Sequence, residues 1–188
     1  MNEQTKNKIL NAQKGDKSAL GELLKEEIPS IKAMVFYLKK DMNDINDILQ
    51  DILFKISKKI HQLKNLNSYK TWLNQIVINS YYDYLRKNKK YSKEAYLDET
   101  INAKYLEIPD FSSNPSDSIL NNELDYIIKT SIDKLPIHYK IPITLREIQG
   151  LSYDEISDVI NKSVGTVKSR IARARAIIKD DINKYIGE

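Results

Sequence analysis

Cysteine is absent from the 188-residue chain, which excludes disulfides and thiolate metal sites and points to a reducing compartment. Glycine and proline number only 5 each. Antiparallel β domains need more turn-forming residues than this, and the prolines are spaced widely enough to leave room for helices. No run approaches the roughly 18–20 apolar residues that cross a bilayer. The first 17 residues are polar and lack the apolar core of a signal peptide. These absences together predict an all-α protein of the cytoplasm.

Candidate chemistry is equally sparse. His61 and His138 are the only histidines; they are far apart and lack ligand spacing, so no metal site is expected. No glycine-rich phosphate loop, nucleophile motif or carboxylate dyad is found. We therefore predict no enzyme activity, no cofactor and no small-molecule substrate.

What the chain does have is a folded composition, 41% hydrophobic and 30% charged, and an uneven charge distribution. The formal net charge is only +4, but Lys and Arg outnumber Asp and Glu by 17 to 10 over residues 1–91. Over residues 92–115 the balance reverses, at 2 against 5, and over residues 116–188 it is even. Two local tracts are basic: Arg86-Lys87-Asn88-Lys89-Lys90, and the stretch from Lys162 to Lys179, which contains no acidic residue. Such tracts suit nucleic acid.

Helical periodicity runs through Ala19, Leu20, Leu23, Leu24, Ile28, Ile31, Val35 and Leu38, with Pro29 as a candidate kink or division. A second stripe uses Ile45, Ile48, Leu49, Ile52, Leu53, Ile56 and Ile60. A third uses Tyr69, Trp72, Leu73, Ile76, Val77 and Tyr84, with Ser68 as a candidate N-cap. Periodicity is lost from about Ser92 to Pro115, where Pro, Ser and acidic residues collect as in a linker. It resumes with Ile119, Leu120, Leu124, Ile127, Ile128, Ile132 and Leu135 and is interrupted at Pro136. The chain thus reads as two small helical domains, residues 1–91 and 116–188, joined by a flexible linker over 92–115.

The most specific passage lies near the C-terminus. Ser152 and Glu155 have capping-box spacing, and Ile156, Val159 and Ile160 supply a buried side. Ser163 is placed to cap a second helix whose buried side is Val164, Val167, Ile171, Ala174 and Ile178. Two short helices joined by about three residues form a helix-turn-helix. The second helix of that motif enters the major groove, with its N-terminal half against the base edges. Thr166, Lys168, Ser169, Arg170, Ala172 and Arg173 lie off the buried stripe and are the candidate base-facing set. Lys162, Arg175 and Lys179 are placed for phosphates. The plainer alternative is a solvated basic face on a structural helix.

Leu135-Pro136, the run from Ile148 to Ile156, Gly165-Thr-Val-Lys-Ser-Arg170 and Arg173-Ala-Arg175 together resemble the C-terminal domain of extracytoplasmic-function (ECF) sigma factors. The resemblance implies that this domain reads the −35 promoter element, and that the chain as a whole meets the β flap of RNA polymerase as well as its β′ clamp. In the other half, Asp47-Ile-Leu-Gln-Asp51 with Phe54 resembles the family's helix for the coiled coil of the β′ clamp. Asp44, Asp47 and Asp51 recur at helical spacing, Gln50 adds a donor and acceptor, and such a face suits a basic partner. The same carboxylates also suit a helix N-terminus and solubility.

Tyr69-Lys-Thr-Trp72-Leu73, Ile78-Asn79 and Asp83-Tyr84-Leu85-Arg86 resemble the family's −10 recognition helix, preceded at about His61 to Ser68 by the loop that accepts a flipped base. Aromatic and basic side chains together are what single strands require, and capturing an extruded base offsets part of its unstacking cost. Asn79, Tyr82, Arg86 and Lys87 are the candidate contacts. Trp72 lies on the apolar stripe and reads as core. Tyr81 and Tyr82 are adjacent, so they cannot both face inward. Asp83 and Arg86 also fit a simple i,i+3 surface pair.

The resemblance implies a promoter-specificity subunit whose partners are core RNA polymerase, promoter DNA and an anti-sigma factor, which in this family is often membrane-bound. A stand-alone helix-turn-helix regulator is the competing reading, and it predicts tight binding to DNA without polymerase. A nucleic-acid enzyme is the third, and it would need metal-binding carboxylates at a cleft.

Overall fold

The computed structural model describes residues 1–39, 42–87 and 127–186, and all regular structure among them is helical. Helix α1 (Glu3–Gln13) opens at Asn2, whose side chain accepts the Thr5 amide at 2.7 Å. Only Ile9 and Ala12 of α1 are buried, too few for a periodic signal, so the sequence does not predict this helix. It is fastened from elsewhere. The Gln13 amide group donates to the carbonyls of Ile60 and Leu63 at 3.0 and 2.7 Å.

Asp16 caps α2 (Lys17–Leu38), accepting the Ser18 and Ala19 amides. Pro29 neither divides nor ends this helix; it sits on the exposed side, where water can serve the carbonyl that lacks its usual donor. Helix α3 (Met42–Lys59) buries Ile45, Ile48, Leu49, Ile52 and Ile56. Full burial of a side chain such as Ile52 or Ile56 contributes about 1.5–3 kcal/mol. Two 3₁₀ turns, Ile60–Gln62 and Leu66–Ser68, lead directly into α4 (Tyr69–Lys87). That helix buries Tyr69, Leu73, Ile76, Val77, Ile78 and Tyr81. Trp72 is half-buried against the same core, its ring 6.0 Å from that of Tyr69.

In the second half, the described part of α5 covers residues 127–134, with Ile127 and Ile132 buried. Pro136 stands at the N-cap of α6 (Ile137–Glu147), so it starts this helix, as its position suggests. Gly150, with φ +63°, makes the turn into α7 (Tyr153–Ile160). Helix α8 (Val164–Ile186) completes the fold. Val167, Ile171 and Ala174 are buried, and Val164 and Ile178 are half-buried. The expected linker, the apolar positions Ile119, Leu120 and Leu124, and Lys89 and Lys90 lie outside the described residues.

The two halves also touch. Helix α2 packs on α6 and α4 on α7, and their buried side chains form one continuous apolar cluster. Gln149 and Ser30 are hydrogen-bonded across this junction. Gln75 donates to the Asp158 carbonyl at 3.0 Å.

Candidate nucleic-acid interface

The helix-turn-helix is built as its capping residues predict. The Ser152 amide donates to the Glu155 carboxylate at 2.7 Å, and the Glu155 amide donates to Ser152 Oγ at 3.2 Å. Asn161 closes α7 in the left-handed region at φ 52°, a conformation that asparagine tolerates better than most residues. Ser163 Oγ then accepts the Thr166 amide at 3.2 Å and so caps α8. With Ile156, Val159, Val167, Ile171 and Ala174 buried, the predicted set on α8 lies off the buried side. Lys168 is exposed, and Thr166, Ser169, Arg170, Ala172 and Arg173 are half-buried.

Local bonds already hold part of this set. Thr166 Oγ1 and Ser163 Oγ are hydrogen-bonded at 2.8 Å, and Ser169 Oγ donates to the Thr166 carbonyl at 3.0 Å. Lys162 and Lys179 are exposed, as phosphate contacts must be. Arg175 is engaged within the fold instead. Its guanidinium donates twice to Glu147, at 2.8 and 3.2 Å, and ties α8 to α6. The Tyr153 ring lies beneath Arg146, at 4.9 Å, and near Lys168, at 5.8 Å.

In the first half, Asn79, Arg86 and Lys87 are exposed on α4 and Tyr82 is half-buried. The adjacent tyrosines divide as geometry requires. Tyr81 is buried and its hydroxyl donates to the Leu38 carbonyl at 2.8 Å, so Tyr81 is a core residue and Tyr82 is the outward one. Asp83 and Arg86 do form the i,i+3 ion pair. Asp83 also meets Lys55 at 2.8 Å, and Lys55, ahead of Arg86, holds the Asp83 carboxyl below its ordinary value.

The acidic row on α3 has two parts. Asp47 and Gln50 are exposed, as is Phe54, which retains 61% of its surface. Asp44 and Asp51 are half-buried and engaged: Asp44 with Lys39 at 3.0 Å, Asp51 with Lys55 at 2.7 Å. Asp44 is the main reason that the Lys39 ammonium titrates above its ordinary value. Phe54 carries the ammonium of Lys58 over its ring, at 5.5 Å. Sequence reasoning missed Lys55. Its i,i+4 spacing from Asp51 is visible in the sequence, but its bond to α4 depends on how the two helices pack.

Among the described residues, no group of His, Cys, Asp and Glu could hold a metal, and no helix is long and apolar enough to cross a membrane. The candidate set on α8 lies in one half of the chain; the candidate sets on α4 and α3 share neighbouring helices in the other.

Comparison with known proteins finds one family in each half of the chain. The profile described as Sigma-70 region 2 matches residues 23–91, and that described as Sigma-70, region 4 matches residues 126–178. The chain is 32% identical over 181 residues to the ECF RNA polymerase sigma-E factor of Haemophilus influenzae, covering 93% of each chain. It is 31% identical over 196 residues to the Escherichia coli K12 protein of the same name, covering 99% of each. Among solved structures, the fold is similar to CnrH in complex with the cytosolic domain of CnrY, with a TM-score of 0.69, 19% identity and coverage of 97% and 99%. It is also similar to the sigma factor RpoE in complex with the anti-sigma factor NepR from Bartonella quintana, with a TM-score of 0.65, 22% identity and coverage of 87% and 96%. With both sigma regions present in order and relatives above 30% identity along nearly its whole length, the chain belongs to the ECF family of RNA polymerase sigma factors.

Proposed function

We propose that the chain performs the family's role, promoter-specific initiation by core RNA polymerase, with three separate faces. Helix α8 enters the major groove of the −35 element, bringing Thr166, Lys168, Ser169, Arg170, Ala172 and Arg173 to the base edges. Asn79, Tyr82, Arg86 and Lys87 meet the non-template strand of the melted −10 element, where stacking and phosphate pairing are the available chemistry. Asp44, Asp47, Gln50, Asp51 and Phe54 dock on the β′ clamp coiled coil. Residues 1–91 act as the polymerase and −10 domain, 92–115 as the linker, and 116–188 as the −35 domain, which also meets the β flap.

One observation carries this reading more than any other. Helix α4 buries its apolar side while Asn79, Arg86 and Lys87 remain exposed, and the neighbouring α3 displays Phe54 among carboxylates. A stand-alone regulator has no use for such a pair of surfaces. The polymerase supplies all the chemistry, and the chain is a non-enzymatic factor that works in the cytoplasm. The solved proteins of similar fold were captured with CnrY and with the anti-sigma factor NepR. By that likeness, an anti-sigma factor restrains this chain by covering the same faces.

The test is binding of labelled full-length protein to core polymerase. Phe54→Ala and Asp47→Asn weaken core binding and leave the fold intact, whereas Asn79→Ala leaves core binding unchanged and lowers open-complex formation. If Phe54→Ala and Asp47→Asn bind core as the parent does, the α3 assignment is wrong.

A further inference from the structure

Lys55 stands between the two faces just assigned to the first half. An ammonium has three donors, and the structure occupies all of them. Lys55 Nζ meets Asp51 Oδ2 at 2.7 Å, Asp83 Oδ2 at 2.8 Å and Ser80 Oγ at 3.0 Å. Asp51 belongs to the acidic row of α3; Asp83 and Ser80 belong to α4. The other Asp83 oxygen accepts from Arg86, whose side chain is 66% exposed. Asp51, Lys55, Asp83 and Arg86 therefore form a chain of alternating charge that begins on one face and ends on the other.

We propose that Lys55 is a positioning residue that couples polymerase binding to −10 recognition. This rests on the assignment of the α3 row to polymerase and of Arg86 to DNA. A basic surface that takes Asp51 leaves the Lys55 ammonium to Asp83. Asp83, so neutralised, holds Arg86 less, and the guanidinium becomes available to a phosphate of the −10 strand. The reverse sequence has the same sign. A phosphate that takes Arg86 leaves Asp83 to Lys55 and frees Asp51 for the polymerase. Coupling between two binding events is reciprocal by necessity. Partly exposed ion pairs of this kind support an effect of roughly two- to five-fold.

The experiment measures affinity of the full chain for core polymerase. It is run with and without a non-template single strand spanning the −10 element of a promoter that the protein transcribes. In the parent, the strand tightens core binding by roughly two- to five-fold. In Lys55→Met, which keeps the aliphatic stem, that factor falls to one; Asp83→Asn, cut at the next link, behaves alike, and Lys55→Arg retains part of the factor. An unchanged factor in Lys55→Met overturns the proposal. So does an equal loss of strand affinity with and without polymerase, which would make Lys55 a direct DNA contact. Failure of the underlying assignment has a different signature: Asp51→Asn leaves core affinity unaltered, or Arg86→Ala leaves strand affinity unaltered. Either result removes the proposal along with the assignment.

Discussion

Ser30 and Gln149, 119 positions apart, exchange a pair of hydrogen bonds where the two halves meet: Ser30 Oγ donates to Gln149 Oε1 at 2.9 Å, and Gln149 Nε2 donates to the Ser30 carbonyl at 3.1 Å. Gln149 is among the few buried polar residues of the described chain. A buried amide retains its stability contribution only while both partners are present.

Replacing Gln149 with Ala should therefore cost more than an ordinary surface substitution, about 1–3 kcal/mol, because the half-buried Ser30 hydroxyl loses its acceptor. Denaturant unfolding at neutral pH measures this. A change within about 0.5 kcal/mol, the range of a surface substitution, would mean that the junction adds nothing net.

The capping box at α7 gives a second expectation. Ser152→Ala removes the acceptor for the Glu155 amide and should lower stability by about 1 kcal/mol. Replacement by Asp, another good N-cap, should restore most of it. Equal stability of the Ala and Asp variants would show that the box is not what holds the start of the helix.

Glu27 makes the fold pH-sensitive in a definite direction. Burial raises its carboxyl above the ordinary 4.5, and Glu26 adds to this, while Tyr69 beside it and Lys70 pull the other way. The folded chain then holds this proton to higher pH than the unfolded chain does. The associated stability is complete below the unfolded value and is lost as pH rises through the folded one. Glu27→Gln should remove that decline, so its stability relative to the parent should improve as pH rises from 4.5 through the folded pKa. Parallel pH profiles would contradict this.

Base contacts and phosphate contacts on α8 separate by their salt and sequence dependence. Arg173→Ala in the holoenzyme should reduce discrimination at one −35 position by about 1–3 kcal/mol. Lys179→Ala should weaken binding to all sequences alike and lower the salt slope by about 1. Uniform loss in Arg173→Ala would reassign Arg173 to a phosphate.

The helix-turn-helix is legible in the sequence because its information is local. Ser152 with Glu155, the spacing of Val167, Ile171 and Ala174, and the acid-free tract after Lys162 all act within a few turns of chain. The same holds for the α3 stripe and for the division of Tyr81 from Tyr82. What escapes the sequence depends on distant partners. Helix α1 carries too few apolar residues for a period and is held by Gln13 reaching the 3₁₀ turn that follows α3. Arg175 reads as one more cation on a basic face, and only the packing of α8 on α6 brings Glu147 to it. Lys55 resembles an ordinary surface lysine until α4 is placed beside it. Pro29 reads as a kink or division, but α2 runs on through it.

Whether this chain directs core polymerase to promoters of its own is decided by run-off transcription. Core polymerase is incubated with pooled genomic fragments, with and without the protein. The expected result is a set of discrete new transcripts whose templates share two upstream elements, at −35 and −10, and which are lost in Arg173→Ala and Asn79→Ala. No new transcripts, together with tight binding of the protein alone to DNA, would contradict the sigma-factor role and identify a regulator that acts without polymerase.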